Sequence, residues 1–347
     1  MMSWFRPHIL ELAGYVPGEQ PQGGGFIKLN TNENPYPPSP RVTQALASVL
    51  SDRLRLYPDP LASDFRQVAA ALHGVEPDMI LAGNGSDDLL TIITRAFVGP
   101  GDLAAYPTPS YLLYSTLIRL QDGREHLVPF STDWSLDPGL LASRELKLVY
   151  LANPNSPSGT SLSPDQVAEI AQVVSCPLLV DEAYADFADD HCIGLVRDHR
   201  NVVVTRSFSK GYSLAGIRLG YLVAHPEIVA QLLKVKDSYN CDALSLIAGA
   251  AALSDREYLE LTRSKVLRTR ARLTAALREL GYTVPQSQAN FVWATGGPPA
   301  LATFERLKAE RILVRLMSYP GHSPGLRITV GTDAQIERLL EVLTAKA

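Results

Sequence analysis

The chain has 347 residues, of which 46 % are apolar and 20 % charged, with a formal net charge of −4. That composition excludes a disordered chain, which needs low hydrophobicity and high net charge. The length suggests two domains, or one large domain with an appendage, and a slightly acidic chain without a basic run is a poor partner for nucleic acid or an anionic membrane.

The N-terminal stretch MMSWFRPHILELAGY lacks a basic region followed by a continuous apolar one, so it does not read as a secretory signal. Residues 1–40 are rich in Gly, Pro and Asn and read as a loop-rich arm. Val42, Leu46, Val49 and Leu50 follow Pro40 at helical spacing. From about residue 60 to 240, short apolar runs alternate with helical patterns. The runs lie at 79–82, 103–106, 147–151, 178–180, 202–205 and 219–223. Such alternation predicts an α/β fold, a mostly parallel sheet with helices on both faces. After residue 240 the texture changes to a long helical stretch over 243–280, then ANFVWAT, a helix at 300–311, ILVRL, LRITVG and a last helix at 333–346. This reads as a smaller α+β domain. The expected division is 1–50 for the arm and a helix belonging to the small domain, 51–240 for the large domain, and 241–347 for the small one. No apolar run approaches the roughly 18 residues of a membrane span. Cys176, Cys192 and Cys241 form no CxxC pair, so neither a zinc site nor a disulfide framework is expected. The features together predict a soluble, cytoplasmic protein without a metal.

In open α/β sheets, ligands bind at the carboxyl ends of the strands. Four of the apolar runs end in polar clusters: GNGSDD (83–88), ANPNSPSG (152–159), DEAY (181–184) and RSFSKG (206–211). GNGSDD opens a helix, and the N–H groups of Gly85, Ser86 and Asp87 could meet a phosphate. It also fits an ordinary capped helix start, and an Asp stands where a dinucleotide fingerprint needs its third glycine. Asp181 could cap a turn or could pair with a protonated ring nitrogen, with Tyr184 beside the same ligand. Lysines number only 8 against 24 arginines, so Lys210 stands out, in a segment with almost no other charge before Arg218. After a buried strand its pKa would fall, and it could act as an amine nucleophile. A lysine amine, an acid for a pyridine nitrogen, a phenol and a phosphate cradle together are what pyridoxal 5′-phosphate requires.

NPNSPSG, DEAYADF and SFSKGYSLAGIRLGY resemble the fold-type-I, pyridoxal-phosphate-dependent aminotransferases. NTNENPY, RLYPDP, KDSYN, ANFVW and ILVRLM followed by GLRITVGT narrow the resemblance to the histidinol-phosphate aminotransferase family, from about residue 29 to 332. The resemblance implies a role for each matching residue. Lys210 would hold the cofactor covalently and shuttle a proton. Asp181 would pair with the pyridine nitrogen and Tyr184 with the phenolic oxygen. Tyr111 would stack on the ring. Gly85, Ser86, Asp87, Ser207, Ser209 and Arg218 would bind the phosphate. Tyr57 would reach the cofactor of a partner subunit, making a homodimer with shared sites. Arg327 would grip the α-carboxylate of glutamate, and Arg315 would meet the phosphate of histidinol phosphate. Tyr15, Asn32 and Tyr239 are further candidates for the substrate. The family usually reads NPNNPTG, and Ser156 stands here where an asparagine donates to the phenolic oxygen. Asn155 is expected to turn inward in its place, because its amide can donate in the same way.

The activity so implied is amino transfer between L-histidinol phosphate and 2-oxoglutarate, within histidine biosynthesis. An aromatic amino acid aminotransferase or a threonine-phosphate decarboxylase of the same fold would share the lysine and the aspartate. A cofactor-sensing regulator would need a DNA-binding segment, for which the arm is short and weakly charged. The broken glycine fingerprint argues against a nicotinamide dehydrogenase.

Overall fold

A computed structural model describes residues 4–14, 18–21, 24–49 and 51–345. Tyr15, Leu50 and Lys346 lie outside the described residues. The arm is less irregular than its composition suggests. It holds a short helix, α1 (Pro7–Glu11), and strand β1 (Ile27–Lys28). Helix α2 (Pro40–Ala47) begins at a proline, capped by the Ser39 hydroxyl, and α3 (Ser63–His73) ends at Gly74, whose φ of +61° a side chain would resist.

The large sheet then builds up in chain order. Strand β2 (Ile80–Gly83) leads into α4 (Ser86–Phe97), and β3 (Leu103–Thr108) into α5 (Leu113–Leu120). Next come β4 (Arg124–Pro129), β5 (Leu146–Ala152), α6 (Pro164–Val173), β6 (Leu178–Asp181), β7 (Val202–Ser207), β8 (Gly220–Ala224) and α7 (Pro226–Leu232). The seven strands lie in the order β2-β8-β7-β6-β5-β3-β4, and only β8 runs against its neighbours. Six of the seven coincide with the expected apolar runs. The seventh, β4, is an edge strand with only Val128 buried, so its sequence REHLVP carries no apolar run.

Both faces of the sheet are covered. Leu178, Val180, Val202 and Val204 point to one face, among α2, α3, α6 and α8 (Ala243–Leu253). Leu179, Val203, Leu148 and Tyr150 point to the other, among α4, α5 and α7. Helix α2 therefore differs from expectation. Its Val42 is buried with the sheet's core rather than with the small unit, and so are Ala248 and Ala252 of α8. The long helical stretch is also two helices. It breaks at Ser254, and Asp255 accepts from Tyr258 N to cap α9 (Arg256–Glu279). Strand β9 (Phe291–Ala294), α10 (Ala300–Ala309), β10 (Ile312–Leu313), β11 (Arg315–Met317), β12 (Gly325–Thr329) and α11 (Asp333–Thr344) follow. The order β11-β12-β9 makes an antiparallel sheet, while β1 of the arm pairs in parallel with β10. These elements share their own core of Leu29, Leu273, Val292, Leu307, Ile328 and Leu339.

Beneath the carboxyl ends of β6 and β7 lies a buried ion cluster. Arg206 donates to Glu182 at 3.1 Å and to Asp186, and Glu182 also accepts from the backbone N–H of Cys192. Arg263 and Arg270 of α9 donate to the carbonyls of Asp186, Phe187 and Ala188 next to it. Removing one partner leaves buried charge without compensation, which costs roughly 3–5 kcal/mol. Urea unfolding of Arg206→Met is expected to show a loss of that order. A loss below about 1 kcal/mol would place the cluster among ordinary surface pairs.

Candidate active site

The strand ends and the small unit enclose a cleft of about 230 Å³. From the large sheet it is lined by Ser86, Asp87, Tyr111, Ser156, Asp181, Tyr184, Ser207, Ser209, Lys210 and Arg218. Arg315 and Arg327 come from β11 and β12, and Asn30, Thr31 and Asn32 from the arm.

Asp181 closes β6 and is buried. Its Oδ2 accepts from Tyr114 Oη at 2.8 Å, and its Oδ1 accepts from Ala183 N and Thr205 Oγ1 at 3.3 Å each. Burial pushes its carboxyl up to about 6, while the Tyr114 bond opposes the rise. A cationic ring nitrogen beside it would restore the charged form. Lys210 follows β7, and its Nζ donates to the carbonyl of Thr31 at 3.0 Å. Its Nζ stands 5.8 Å from the centre of the Tyr184 ring. Burial first, then the Arg327 charge, lowers its ammonium to about 8. Asn34 Nδ2 holds the backbone of this turn through the carbonyls of Lys210 and Gly211, at 3.1 Å each. Tyr184 packs edge-on against Phe291, and its oxygen accepts from Asn32 Nδ2 at 2.9 Å. Burial raises the pKa of the phenol.

Helix α4 enters the cleft, and among the described residues no side chain caps its N-terminus. Gly85 holds that start at φ +85°, and a Cβ there would stand 2.5 Å from the Arg218 guanidinium. Gly220 on β8 is as tightly placed, since a Cβ would come within 2.7 Å of Ser86 N. Arg218 NH1 donates to Ser209 Oγ at 3.3 Å, and Ser209 N donates to Ser207 Oγ at 3.3 Å. The Gly85 N–H is taken by the Gly83 carbonyl at 2.8 Å, contrary to expectation, so the helix N–H groups of Ser86 and Asp87, two hydroxyls and a guanidinium form the cradle for a phosphate. Tyr111 stands beside it, with its Oη 3.4 Å from Asp87 Oδ1.

Arg315 and Arg327 are direct cross-strand partners, so both side chains leave the sheet on the same face. Arg327 NH1 donates to Ser156 Oγ at 3.0 Å and NH2 to the carbonyl of Asn30 at 3.2 Å. Among the described residues its buried Nε has no partner.

One further expectation changes. Asn155 does not turn into the cleft. Its amide donates to Pro109 O and Ser158 Oγ, and its Oδ1 accepts from Ser110 Oγ, so every amide group is engaged within the loops. Ser156 faces the cleft instead. Tyr57 lies outside the cleft of its own chain, 81 % exposed, with its ring stacked on Tyr239 at 4.5 Å. Tyr239 is likewise outside the cleft. Asn34, Tyr114 and Thr205 also support the site, and the sequence alone does not mark them.

Residues 25–343 match the aminotransferases of class I and II. The chain belongs to this family, and within it to the histidinol-phosphate aminotransferases. It is 50 % identical to the histidinol-phosphate aminotransferase of Rhodopirellula baltica, covering 96 % of this chain and 93 % of that one. It is 42 % identical to histidinol-phosphate aminotransferase 1 of Trichormus variabilis, over 99 % of both. Among solved structures, the Sinorhizobium meliloti histidinol-phosphate aminotransferase in complex with pyridoxal-5′-phosphate superposes with a TM-score of 0.89. That match has 29 % identity and covers 99 % of this chain and 98 % of the other. The aspartate aminotransferase of Thermus thermophilus has a TM-score of 0.81 at 19 % identity, covering 91 % and 90 %, and shares the fold.

The lowered pKa of Lys210 has a direct consequence. Only the neutral amine attacks an aldehyde. A small aldehyde followed by borohydride is expected to label Lys210 at a rate that climbs with pH through about 8, the value its surroundings set. A midpoint near 10.5, the ordinary lysine value, would show that burial does not activate this amine.

Proposed function

We infer that the chain is a pyridoxal-phosphate-dependent transaminase of histidine biosynthesis. It would move an amino group from glutamate to imidazole acetol phosphate, giving histidinol phosphate and 2-oxoglutarate. The observation that carries the reading is the placement of Arg315 and Arg327, cross-strand partners, in one cleft with Lys210 and Asp181. Pyridoxal phosphate, when bound, supplies an aldehyde carbon and an electron-withdrawing ring.

The chain's own groups divide the remaining work. The N–H groups at the start of α4, with Ser207, Ser209 and Arg218, hold the cofactor's phosphate. Asp181 holds the proton on the ring nitrogen. Tyr184 donates to the phenolic oxygen, and Tyr111 covers one face of the ring. The Lys210 amine anchors the cofactor and carries a proton to and from the substrate's α-carbon. Ser156, at the position where the family usually has an asparagine, steadies Arg327. Arg327 binds the α-carboxylate of glutamate, and Arg315 binds the phosphate at the far end of the other substrate. Guanidinium forks accept both anions. The division of the chain is part of the same reading, with α2 and α8 assigned to the large domain.

A panel of amino donors and acceptors, read by the cofactor's colour change, tests the substrate assignment. Amination by glutamate and reversal by imidazole acetol phosphate are expected. Turnover with aromatic keto acids alone would overturn it. The two arginines should separate in single-turnover measurements of each half-reaction. Loss of a buried charge partner costs roughly 3–5 kcal/mol, or about 10² to 10³ in rate constant at about 1.4 kcal/mol per decade. Arg315→Ala should slow the histidinol-phosphate half-reaction by that factor and the glutamate half-reaction much less. Arg327→Ala should slow the glutamate half-reaction more. Equal losses in both for Arg315→Ala would assign it a structural role.

The reading includes a cytoplasmic homodimer with shared sites. Leu54, Leu56 and Tyr57 expose more than half of their surface on one segment, which supports a partner there. Among the described residues no helix is long and apolar enough to cross a membrane. Mixing inactive Lys210→Ala with inactive Tyr57→Phe subunits should restore activity, because exchange produces heterodimers with one intact site. Confirmed exchange without recovered activity would rule out shared sites.

A further inference from the structure

Asp181 is bonded to one of a pair of stacked, buried phenols, neither of which lines the cleft. Tyr114 of α5 donates from Oη to Asp181 Oδ2 at 2.8 Å and is fully buried. Its ring stacks on Tyr150 with centroids 4.8 Å apart and planes at 24°. Tyr150 Oη lies 2.7 Å from Thr94 Oγ1, whose hydroxyl is also 2.6 Å from the carbonyl of Leu90. Tyr111 meets the Tyr114 ring edge-on at 5.6 Å. The Tyr114 hydroxyl therefore has a ring held from two sides and an acceptor fixed at the end of β6. A group needed only to fill this space would be a phenylalanine.

We propose that Tyr114 is a positioning residue that lowers the proton affinity of Asp181, keeping the shared proton on the cofactor's ring nitrogen. The inference rests on Asp181 being the partner of that nitrogen. The two groups share one proton. It sits either on nitrogen beside a carboxylate, or on oxygen beside a neutral pyridine. Burial favours the neutral arrangement, because the carboxylate loses its hydration. The nearby Asp87 charge pushes the same way. A donor on Oδ2 favours the charged arrangement, because hydrogen bonds to an ionised acceptor are the stronger ones. Ala183 N and Thr205 Oγ1 assist on Oδ1 at 3.3 Å each, longer than the Tyr114 bond. A protonated nitrogen withdraws electrons more strongly, so the phenol acts on the reaction without touching substrate or cofactor.

The test uses full-length protein loaded with cofactor ¹⁵N-labelled in the ring, with the nitrogen's chemical shift as readout. Tyr114→Phe should move the signal from the protonated position toward that of Asp181→Asn, with kcat falling and KM for glutamate little changed. Tyr150→Phe alters the same aromatic stack without touching Asp181 and should leave the signal in place. In cofactor-free protein, the infrared carboxyl band missing from Asp181→Asn identifies this group. Tyr114→Phe should raise its midpoint by about one pH unit or more, a tenfold change in proton affinity. A 3-fluorotyrosine at position 114 keeps the ring and strengthens the donor, so it should lower the midpoint and covers the case in which Tyr114→Phe does not fold. Unchanged nitrogen signal and midpoint in these variants, or an equal effect of Tyr150→Phe, would overturn the role of Tyr114. A nitrogen still protonated in Asp181→Asn would instead overturn the pairing on which the inference rests.

Discussion

Side chains along a strand alternate between faces, and at the ends of β6 and β7 that alternation separates two kinds of buried charge. Asp181 and Thr205 are register partners and turn toward the face covered by α4 and α5. Glu182 and Arg206, each one residue further, turn to the opposite face and join Asp186. One face thus receives a carboxylate for chemistry, and the other receives a closed ion cluster. A one-residue slip of either strand would exchange them. The position of Lys210 depends on the same register, because it follows Arg206 by only four residues.

The cluster is costly to form, since three charges leave water. Its effect is positional. Arg206 ties the turn after β6 to the strand that leads to Lys210, and Arg263 and Arg270 of α9 grip the carbonyls of that turn. Gly211 fits the same arrangement, because a Cβ there would lie 2.4 Å from the Asp186 carboxylate. The arm completes the assembly from a distant part of the sequence. Asn32 reaches Tyr184, Asn34 reaches the Lys210 turn, and Asn290 Nδ2 holds the carbonyl of Asn32. Side-chain amides suit this work because each offers donors and an acceptor without adding charge near the lysine.

This division explains what the sequence discloses and what it hides. Strands buried on both faces produce continuous apolar runs, so the central strands are visible, and so are the polar clusters that end them. Strand β4 is hidden because an edge needs no such run. Helix α2 is hidden in a different way, since Val42 and Leu46 show an apolar face but not which layer covers it. Asp181, Tyr184 and Lys210 are legible from their place after strands. Asn155 and Ser156 are not, because which one faces the cleft depends on Ser110, Pro109 and Ser158, brought beside Asn155 by folding. Tyr114 is hidden because its partner lies 67 residues away.

The arginines show how surroundings assign different work to one residue type. Arg206 is bonded to two carboxylates, so its charge is answered inside the protein. Arg327 is held by a hydroxyl and a carbonyl, both neutral, and its ring contact is the Phe291 face with the guanidinium carbon 5.3 Å from the centre. Neutral partners fix orientation without cancelling charge. The guanidinium keeps its full attraction for an incoming anion and sacrifices no internal ion pair when one arrives. The same uncancelled charge stands near Lys210 and helps to lower its pKa. A carboxylate at position 156 would undo both effects, by neutralising Arg327 and by favouring the charged lysine. A short neutral hydroxyl preserves them, which is why serine is compatible with a site whose usual residue there is an amide.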